Sequence, residues 1–344
     1  MSGSPPPAVA AAIRHLAAGD SIPPEELTQA FECILAGEAS PVQIAAMLMG
    51  LRVKGETPAE VAAVVRALRR TMVVLKAERP EDLVDTCGTG GGSVRTFNIS
   101  TAAALLAAGA GVRVAKHGNR SFTTQCGSAD VLEVLGVAVQ APLAAMERSL
   151  ADAGIVFMFA PAMHPAMRHV GPIRSELGVP TVMNIVGPLA NPARVGRQVV
   201  GVADEHRVPL IAGALRELGS LHALVVHGAP GMDEISPLGP TRIVEIREGK
   251  SSEWTLDPGR YGIGPVRLDE LAGGSPAQNA STVVEVLSGR GTPGATAAVV
   301  LNAAAAVYVG GLAKDFDGAV ERARAAMDAR AGVAALDRLR AALS

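Results

Sequence analysis

Apolar residues recur at helical spacing through the first eighty positions. Two helix starts are well marked: Ser40, Pro41, Val42 and Gln43, then Thr57, Pro58, Ala59 and Glu60. Each offers a hydroxyl N-cap, a proline at the first helical position where its missing N–H costs nothing, and Gln or Glu three residues on, the pattern of a capping box. Ile44, Met47, Leu48 and Leu51 follow the first start, and Val61, Val64, Val65 and Leu68 the second. A further helix is predicted after Pro23 and Pro24, running through Leu35. The pattern changes near residue 82. Leu83 to Thr86 reads as a short buried strand, Cys87 to Ser93 as a Gly-rich loop, Ser100 to Ala108 as an Ala-rich helix, and Val112 to Lys116 as a second strand. Strand, loop, helix, strand implies parallel pairing. Further strands are predicted at Ile155–Phe159, Val199–Val202 and Leu224–Val226, and a helical tail from Thr296 to Ala342 broken near Gly310 and Gly311.

The fold class that follows is α/β, with a small N-terminal helical domain over 1–80 and a larger domain over 81–344 built on a mainly parallel central sheet. The segment from Gly171 to Pro192 contains four prolines, Pro172, Pro180, Pro188 and Pro192, so no long helix passes through it. It is read as a crossover back to the helical domain, which part of 174–195 would then complete. A hinge of that kind is a common place for a ligand cleft.

Composition narrows this picture. The 344 residues are 49% hydrophobic but only 3% aromatic, so the core is aliphatic, and abundant Ala and Gly favour helices packed closely on a sheet. A formal net charge of −2 advertises neither a nucleic-acid nor a membrane surface. Cys33, Cys87 and Cys126 lie far apart, with no CxxC pair and no metal spacing. The opening MSGSPPP does not read as a signal peptide, and no apolar stretch of spanning length escapes interruption. A cytoplasmic protein is expected.

Four segments carry candidate chemistry. The first runs from Asp85 to Thr101, DTCGTGGGSVRTFNIST. Its glycines let backbone N–H groups converge on an anion, and the following helix start adds partial positive charge together with Asn98, Ser100 and Thr101. Ser93 at the third glycine position excludes a Rossmann fingerprint, and the missing Gly-Lys-Ser/Thr excludes a Walker A loop. The second, VAKHGNRS from Val114, gathers Lys116, His117, Asn119 and Arg120 at a predicted strand's C-terminal end, where open α/β sheets bind ligands. Two cations with Asn and Thr donors suit a phosphate or diphosphate. The third, GMDEIS from Gly231, places Asp233 and Glu234 after a strand and a Gly/Pro turn, where adjacent carboxylates can hold Mg2+. The fourth, from Phe159 to Arg174, offers Arg174 for a bidentate contact with a carboxylate, whereas His164, before a proline, reads as structural. No Ser-His-Asp triad, HExxH or reactive-cysteine signature is present, and no single catalytic residue is assigned.

In order along about residues 21–340, GTGG…TFNIST, KHGNRS, GSADVLEVLG, FAPAMHPAMRHVGPIR, NIVGPLANPA and GMDEIS closely resemble the anthranilate phosphoribosyltransferase family. The resemblance implies a helical domain joined to an α/β domain with the active site between them, a homodimer formed through the helical domain, and transfer of the phosphoribosyl group of phosphoribosyl pyrophosphate to anthranilate with Mg2+ as cofactor. It implies donor-site positions at Gly88, Gly91, Thr96, Asn98, Ser100, Thr101, Lys116 and Ser128; the adjoining Gly92, Ile99, Asn119 and Arg120 complete the expected donor site. Gly88, Asn119 and Arg174, with His117 beside them, are implied for anthranilate, and Ser100, Asp233 and Glu234 for the metal. Lys116 would support the leaving pyrophosphate.

The chain departs from the family pattern in places. Gly92 and Ser93 stand where Asp-Gly is usual, Ser175 where a second basic residue is usual, and Gly178-Val-Pro-Thr181 replaces G-I-R-T. Met183 replaces Phe, Thr123 and Thr124 replace serines, and Cys126 replaces Ser or Ala. Two alternatives remain at this level: a pyrimidine nucleoside phosphorylase relative, opposed by KHGNRS and GMDEIS, and a non-catalytic paralogue that binds nucleic acid or a regulatory ligand, opposed by the near-neutral charge.

Overall fold

The computed structural model describes residues 6–121 and 126–343. Thr123 and Thr124 lie outside the described residues. Four helices come first: α1 (Pro7–Ala18), α2 (Pro24–Ala36), α3 (Pro41–Lys54) and α4 (Pro58–Thr71). Both expected capping boxes form, Ser40 with Gln43 and Thr57 with Glu60. Glu60 does more than cap. It is 1% exposed, and its carboxylate accepts from the Thr57 and Ile22 amides at 2.9 and 3.0 Å and from Lys54 Nζ at 2.8 Å. One buried carboxylate thus ties the α1–α2 connection and the end of α3 to the start of α4.

The sheet has seven strands: β1 (Val84–Gly88), β2 (Val114–Gly118), β3 (Ile155–Phe159), β4 (Arg197–Gly201), β5 (His222–Gly228), β6 (Thr241–Arg247) and β7 (Lys250–Leu256). Their order is β3-β2-β1-β4-β5-β6-β7. The first five are parallel, whereas β5 to β7 pair antiparallel. The hairpin of β6 and β7 was not among the predicted elements. Its signal is the β-branched Ile243, Val244 and Ile246 and a two-residue turn at Glu248 and Gly249, both at positive φ, as right-twisted hairpins favour. The chain leaves β1 toward β2 and β3, then crosses to β4 on β1's other side. The direction of winding therefore reverses between β1 and β4, the place where such sheets bind ligands.

Between and after the strands come α5 (Ile99–Gly109), α6 (Ser128–Val134), α7 (Leu143–Asp152), α8 (Ala160–Met163), α9 (Gly171–Leu177), α10 (Met183–Leu189), α11 (Val208–Glu217), α12 (Pro276–Leu287), α13 (Pro293–Val309), α14 (Phe316–Asp328) and α15 (Ala331–Leu343). Strand side chains alternate between two cores, as a period of two requires. Leu224 and Val226 face a core shared with α5, α13, α14 and α15, while Ala223 and Val225 face one shared with α10, α11 and the N-terminal helices. The proline-rich segment forms the short helices α9 and α10, which pack against α3 and α4 respectively. α10 carries Pro188 near its end.

Glu60→Ala would leave the Ile22 amide and the Lys54 ammonium without their shared acceptor. Removing one partner of a buried pair costs on the order of 3 kcal/mol. A denaturant titration should show a loss of that size, and one below ~1 kcal/mol would mean the carboxylate is only a surface cap.

Candidate active site

Three neighbouring parallel strands, β1, β4 and β5, each end in glycine: Gly88, Gly201 and Gly228. The acidic segment lies directly on these ends. A Cβ at Gly201 would stand 1.7 Å from the Asp233 carbonyl oxygen, one at Gly228 2.4 Å from the Glu234 carbonyl oxygen, and one at Gly88 2.6 Å from Asp233 Oδ2. Only strand ends without side chains admit the segment this close. It thereby occupies the reversal point between β1 and β4.

From there both carboxylates meet the Gly-rich loop and the helix start. Asp233 Oδ2 accepts from the Gly90 amide at 2.8 Å, and Glu234 Oε1 from the Ser100 amide at 3.1 Å. The loop can turn this way because Gly90 and Gly91 both take left-handed φ, 69° and 80°. Ser93 donates its amide to the Gly231 carbonyl at 3.2 Å and its hydroxyl to the Pro230 carbonyl at 3.2 Å. The Gly92 and Ser93 departure therefore ties the two loops together. A Cβ at Gly92 would lie 3.1 Å from the Gly231 carbonyl oxygen.

Beneath the loops sits a buried charge network. Lys116 is 4% exposed, and its ammonium donates to the Thr86 carbonyl and, at 3.3 Å, to Ser100 Oγ. Asp85 is fully buried. It accepts from the His117 amide at 3.1 Å and from Asn191 Nδ2 at 2.7 Å. Burial lowers the Lys116 pKa, against the pull of Asp85, and pushes the Asp85 carboxyl up to about 6. Burial and the neighbouring Asp233 charge raise Glu234 to about 8, and burial raises Asp233. Two adjacent, half-buried carboxylates resist ionising together, a cost that a divalent cation would relieve. Among the described residues no three His, Cys, Asp or Glu side chains converge. A cation here would draw on two carboxylates, a hydroxyl and ligand oxygens, a set that suits Mg2+.

The other expected positions distribute around this centre. Asn98 Oδ1 accepts from Asn279 Nδ2 at 2.9 Å, and Thr96 bridges to Ala272. Ile99 and Thr101 are buried in the first turn of α5, where Thr101 Oγ1 has no hydrogen-bond partner among the described residues. Ser128 Oγ donates to the Asn119 carbonyl at 3.3 Å. Arg120 is committed elsewhere. Its guanidinium makes 2.7 and 2.6 Å bonds to Glu133 and a 2.8 Å bond to Asp130.

His117 and His164 face one another with ring centroids 5.1 Å apart. Burial holds both neutral, His117 near about 3 with help from His164, and His164 near about 4. Nε2 of His117 has no hydrogen-bond partner among the described residues. His164, read from sequence as structural, therefore stands beside an expected acceptor residue. Arg174, on α9, reaches Asn184 Oδ1 at 3.5 Å, and burial lowers its pKa.

Three polar residues that hold the site received no role from sequence reasoning. Asn191 bridges Asp85 and the Ala115 carbonyl, Asn279 holds Asn98, and Asn302 on α13 grips the backbone of Ile235. The available signal was a lone Asn inside an apolar helix, as at Asn302. An open cavity of about 580 Å3 lies elsewhere, by the opposite ends of β4 and β5, lined among others by Arg197, His222, Arg247 and Tyr308.

Gly201→Ala should displace the acidic segment without touching its side chains. Hydrogen exchange at the Gly90 and Ser100 amides should quicken roughly tenfold or more. Unchanged exchange at both would mean that strand-end contact does not hold the segment.

The glycosyl transferase family a/b domain matches residues 80–334, and the glycosyl transferase family helical bundle domain matches residues 10–72. The chain is 46% identical over 327 residues to an anthranilate phosphoribosyltransferase of Rubrobacter xylanophilus, covering 95% of each. Its fold is similar to that of anthranilate phosphoribosyltransferase from Thermus thermophilus (40% identity, TM-score 0.90, covering 96% of this chain and 99% of that one). It is also similar to the Saccharomyces cerevisiae enzyme in complex with PRPP and Mg (25% identity, TM-score 0.87, covering 97% of each). The chain belongs to the anthranilate phosphoribosyltransferases of the glycosyl transferase family.

Proposed function

We infer that this chain transfers the phosphoribosyl group of phosphoribosyl pyrophosphate (PRPP) to anthranilate, giving N-(5-phosphoribosyl)anthranilate and pyrophosphate, the second step of tryptophan synthesis from chorismate. The observation that carries this reading is the docking of Asp233 and Glu234 against the Gly90 and Ser100 amides, over a buried lysine. An acidic pair placed on an anion cradle makes chemical sense when a cation joins the pair to a diphosphate.

In the reaction the C1–O bond to pyrophosphate breaks as a C1–N bond forms to the amine. Negative charge grows on the leaving group. The loop amides and the Lys116 ammonium supply preorganised positive charge there, which is worth most in a dry site. When bound, Mg2+ at Ser100, Asp233 and Glu234 would further neutralise the pyrophosphate. We assign Gly88, Gly91, Gly92, Thr96, Asn98, Ile99, Thr101, Asn119 and Ser128 to the donor's surroundings. Arg120 belongs to that side of the site, but its ion pairs with Glu133 and Asp130 favour a supporting role.

An aromatic amine is already neutral near pH 7, and the arylammonium formed on attack is acidic, so no strong base is required. Orientation then supplies much of the rate. Arg174 would pair with the acceptor carboxylate, and Asn119 with the neutral face of His117 would line its ring. Two neutral imidazoles suit an aromatic ring and place no second positive charge beside the cation-like sugar. The outer face of α3 supports a homodimer. Val42 and Val53 are 78% and 80% exposed, and with Ala46 and Met49 they make one apolar stripe. No helix among the described residues is long and apolar enough to cross a membrane.

The test is direct. Protein, PRPP, Mg2+ and anthranilate should give a loss of anthranilate fluorescence that EDTA abolishes. No loss, with PRPP binding still detectable by calorimetry, would overturn the acceptor. Arg174→Ala should raise the KM for anthranilate roughly tenfold to a hundredfold, the worth of a charge-assisted bond, and leave the KM for PRPP within about twofold. Equal losses for both substrates would remove Arg174 from the acceptor site.

A further inference from the structure

Asn302 sits in the middle of α13, 4% exposed, with the apolar Val299, Leu301, Ala303 and Ala305 around it in sequence fully buried. An Asn there is unfavourable for helix propensity and for burial unless its amide is satisfied. It is satisfied by one partner residue above all. Oδ1 accepts from the Ile235 amide at 2.9 Å, Nδ2 donates to the Ile235 carbonyl at 2.8 Å, and the same Nδ2 donates back to the Ala298 carbonyl at 2.9 Å. The side-chain amide thus acts as a one-residue strand partner, anchored to a largely buried helix.

The Ile235 amide and the Glu234 carbonyl belong to the same peptide plane. Asn302 grips that plane from the helix, and Gly228 receives its carbonyl from the sheet. With the plane held from both sides, only side-chain torsions remain to place the Glu234 carboxylate, and the Ser100 amide takes one of its oxygens. A cavity of about 10 Å3, room for about one water, is lined by Asn302 and Glu234 together with Ser100 and Thr86.

We propose that Asn302 is a positioning residue for the metal site: it fixes the Glu234–Ile235 peptide so that the Glu234 carboxylate is aimed at the diphosphate cradle. The proposal rests on Glu234 being a metal ligand. Both polar atoms of the Asn302 side chain are committed to the Ile235 and Ala298 backbone, so its loss acts on metal affinity first.

Mn2+ binding in the presence of PRPP, followed by electron paramagnetic resonance of the free ion, tests it. Asn302→Asp keeps the acceptor for the Ile235 amide and sets an oxygen against the two carbonyls. Asn302→Ser removes the grip without adding charge. Glu234→Gln is the benchmark, and Leu301→Ala, one residue away and fully buried, reports general softening of α13. The expected result is a Mn2+ dissociation constant raised about tenfold in both Asn302 variants, with the KM for anthranilate unchanged and Leu301→Ala like the parent. Asn302 variants within twofold of the parent, while Glu234→Gln binds weakly, would overturn the proposal and leave the metal reading standing. Equal weakening in Leu301→Ala would overturn it as well. An unmoved constant in Glu234→Gln would overturn the metal reading and the proposal with it.

Discussion

The site depends on how closely one backbone segment can lie on the end of a parallel sheet. The Asp233 carbonyl occupies space that any side chain at Gly201 would need, and the Glu234 carbonyl does the same at Gly228. Because β4 and β5 end without side chains, the chain after β5 folds back over the point where the winding reverses. Every other feature of the centre follows from that approach. The Gly90 and Ser100 amides find carboxylate partners, Ser93 joins the two loops, and the first turn of α5 is brought under Glu234.

The centre is also costly, and the surrounding polar residues explain how it persists. Lys116 and Asp85 are almost wholly out of water. A buried charge survives only with partners. Lys116 has the Thr86 carbonyl and the Ser100 hydroxyl, and Asp85 has the His117 amide and Asn191. Asn191 in turn holds the Ala115 carbonyl and the Ala193 amide. These bonds run between β1, β2 and the segment just before β4, so the strands that carry the cradle are locked in register by the same atoms that stabilise its charge. The acid pair has one amide apiece, from Gly90 and Ser100, and burial still raises both carboxyls, with the Asp233 charge adding to the rise at Glu234, a strain that a cation would relieve.

The helical domain joins this centre through the proline-rich segment. Prolines keep α9 and α10 to seven residues each, and each short helix packs on a different member of the N-terminal bundle. Arg174 therefore rides on an element that touches α3, while the carboxylate pair and Lys116 belong to the sheet. The groups proposed for donor and for acceptor therefore sit on separately supported parts of the molecule.

Local chemistry was legible in the residues themselves. The capping boxes at Ser40 and Thr57 follow from side-chain hydrogen bonding within one turn, and β3 spans the predicted Ile155–Phe159, because such signals need only near neighbours. The chain's ordered motifs likewise carried its family and its activity, since a substrate site of many parts leaves many residues in place. What the sequence could not decide were contacts between distant segments. Nothing near Asn302 in the chain announces Ile235, 67 residues away, and nothing beside Arg120 shows that Glu133 and Asp130 take its guanidinium. His164 reads as a structural residue until β2 and the segment after β3 bring it against His117. The raised carboxyls, the neutral imidazoles and the docking of Asp233 on Gly201 arise from burial, and burial is a property of the packed chain alone.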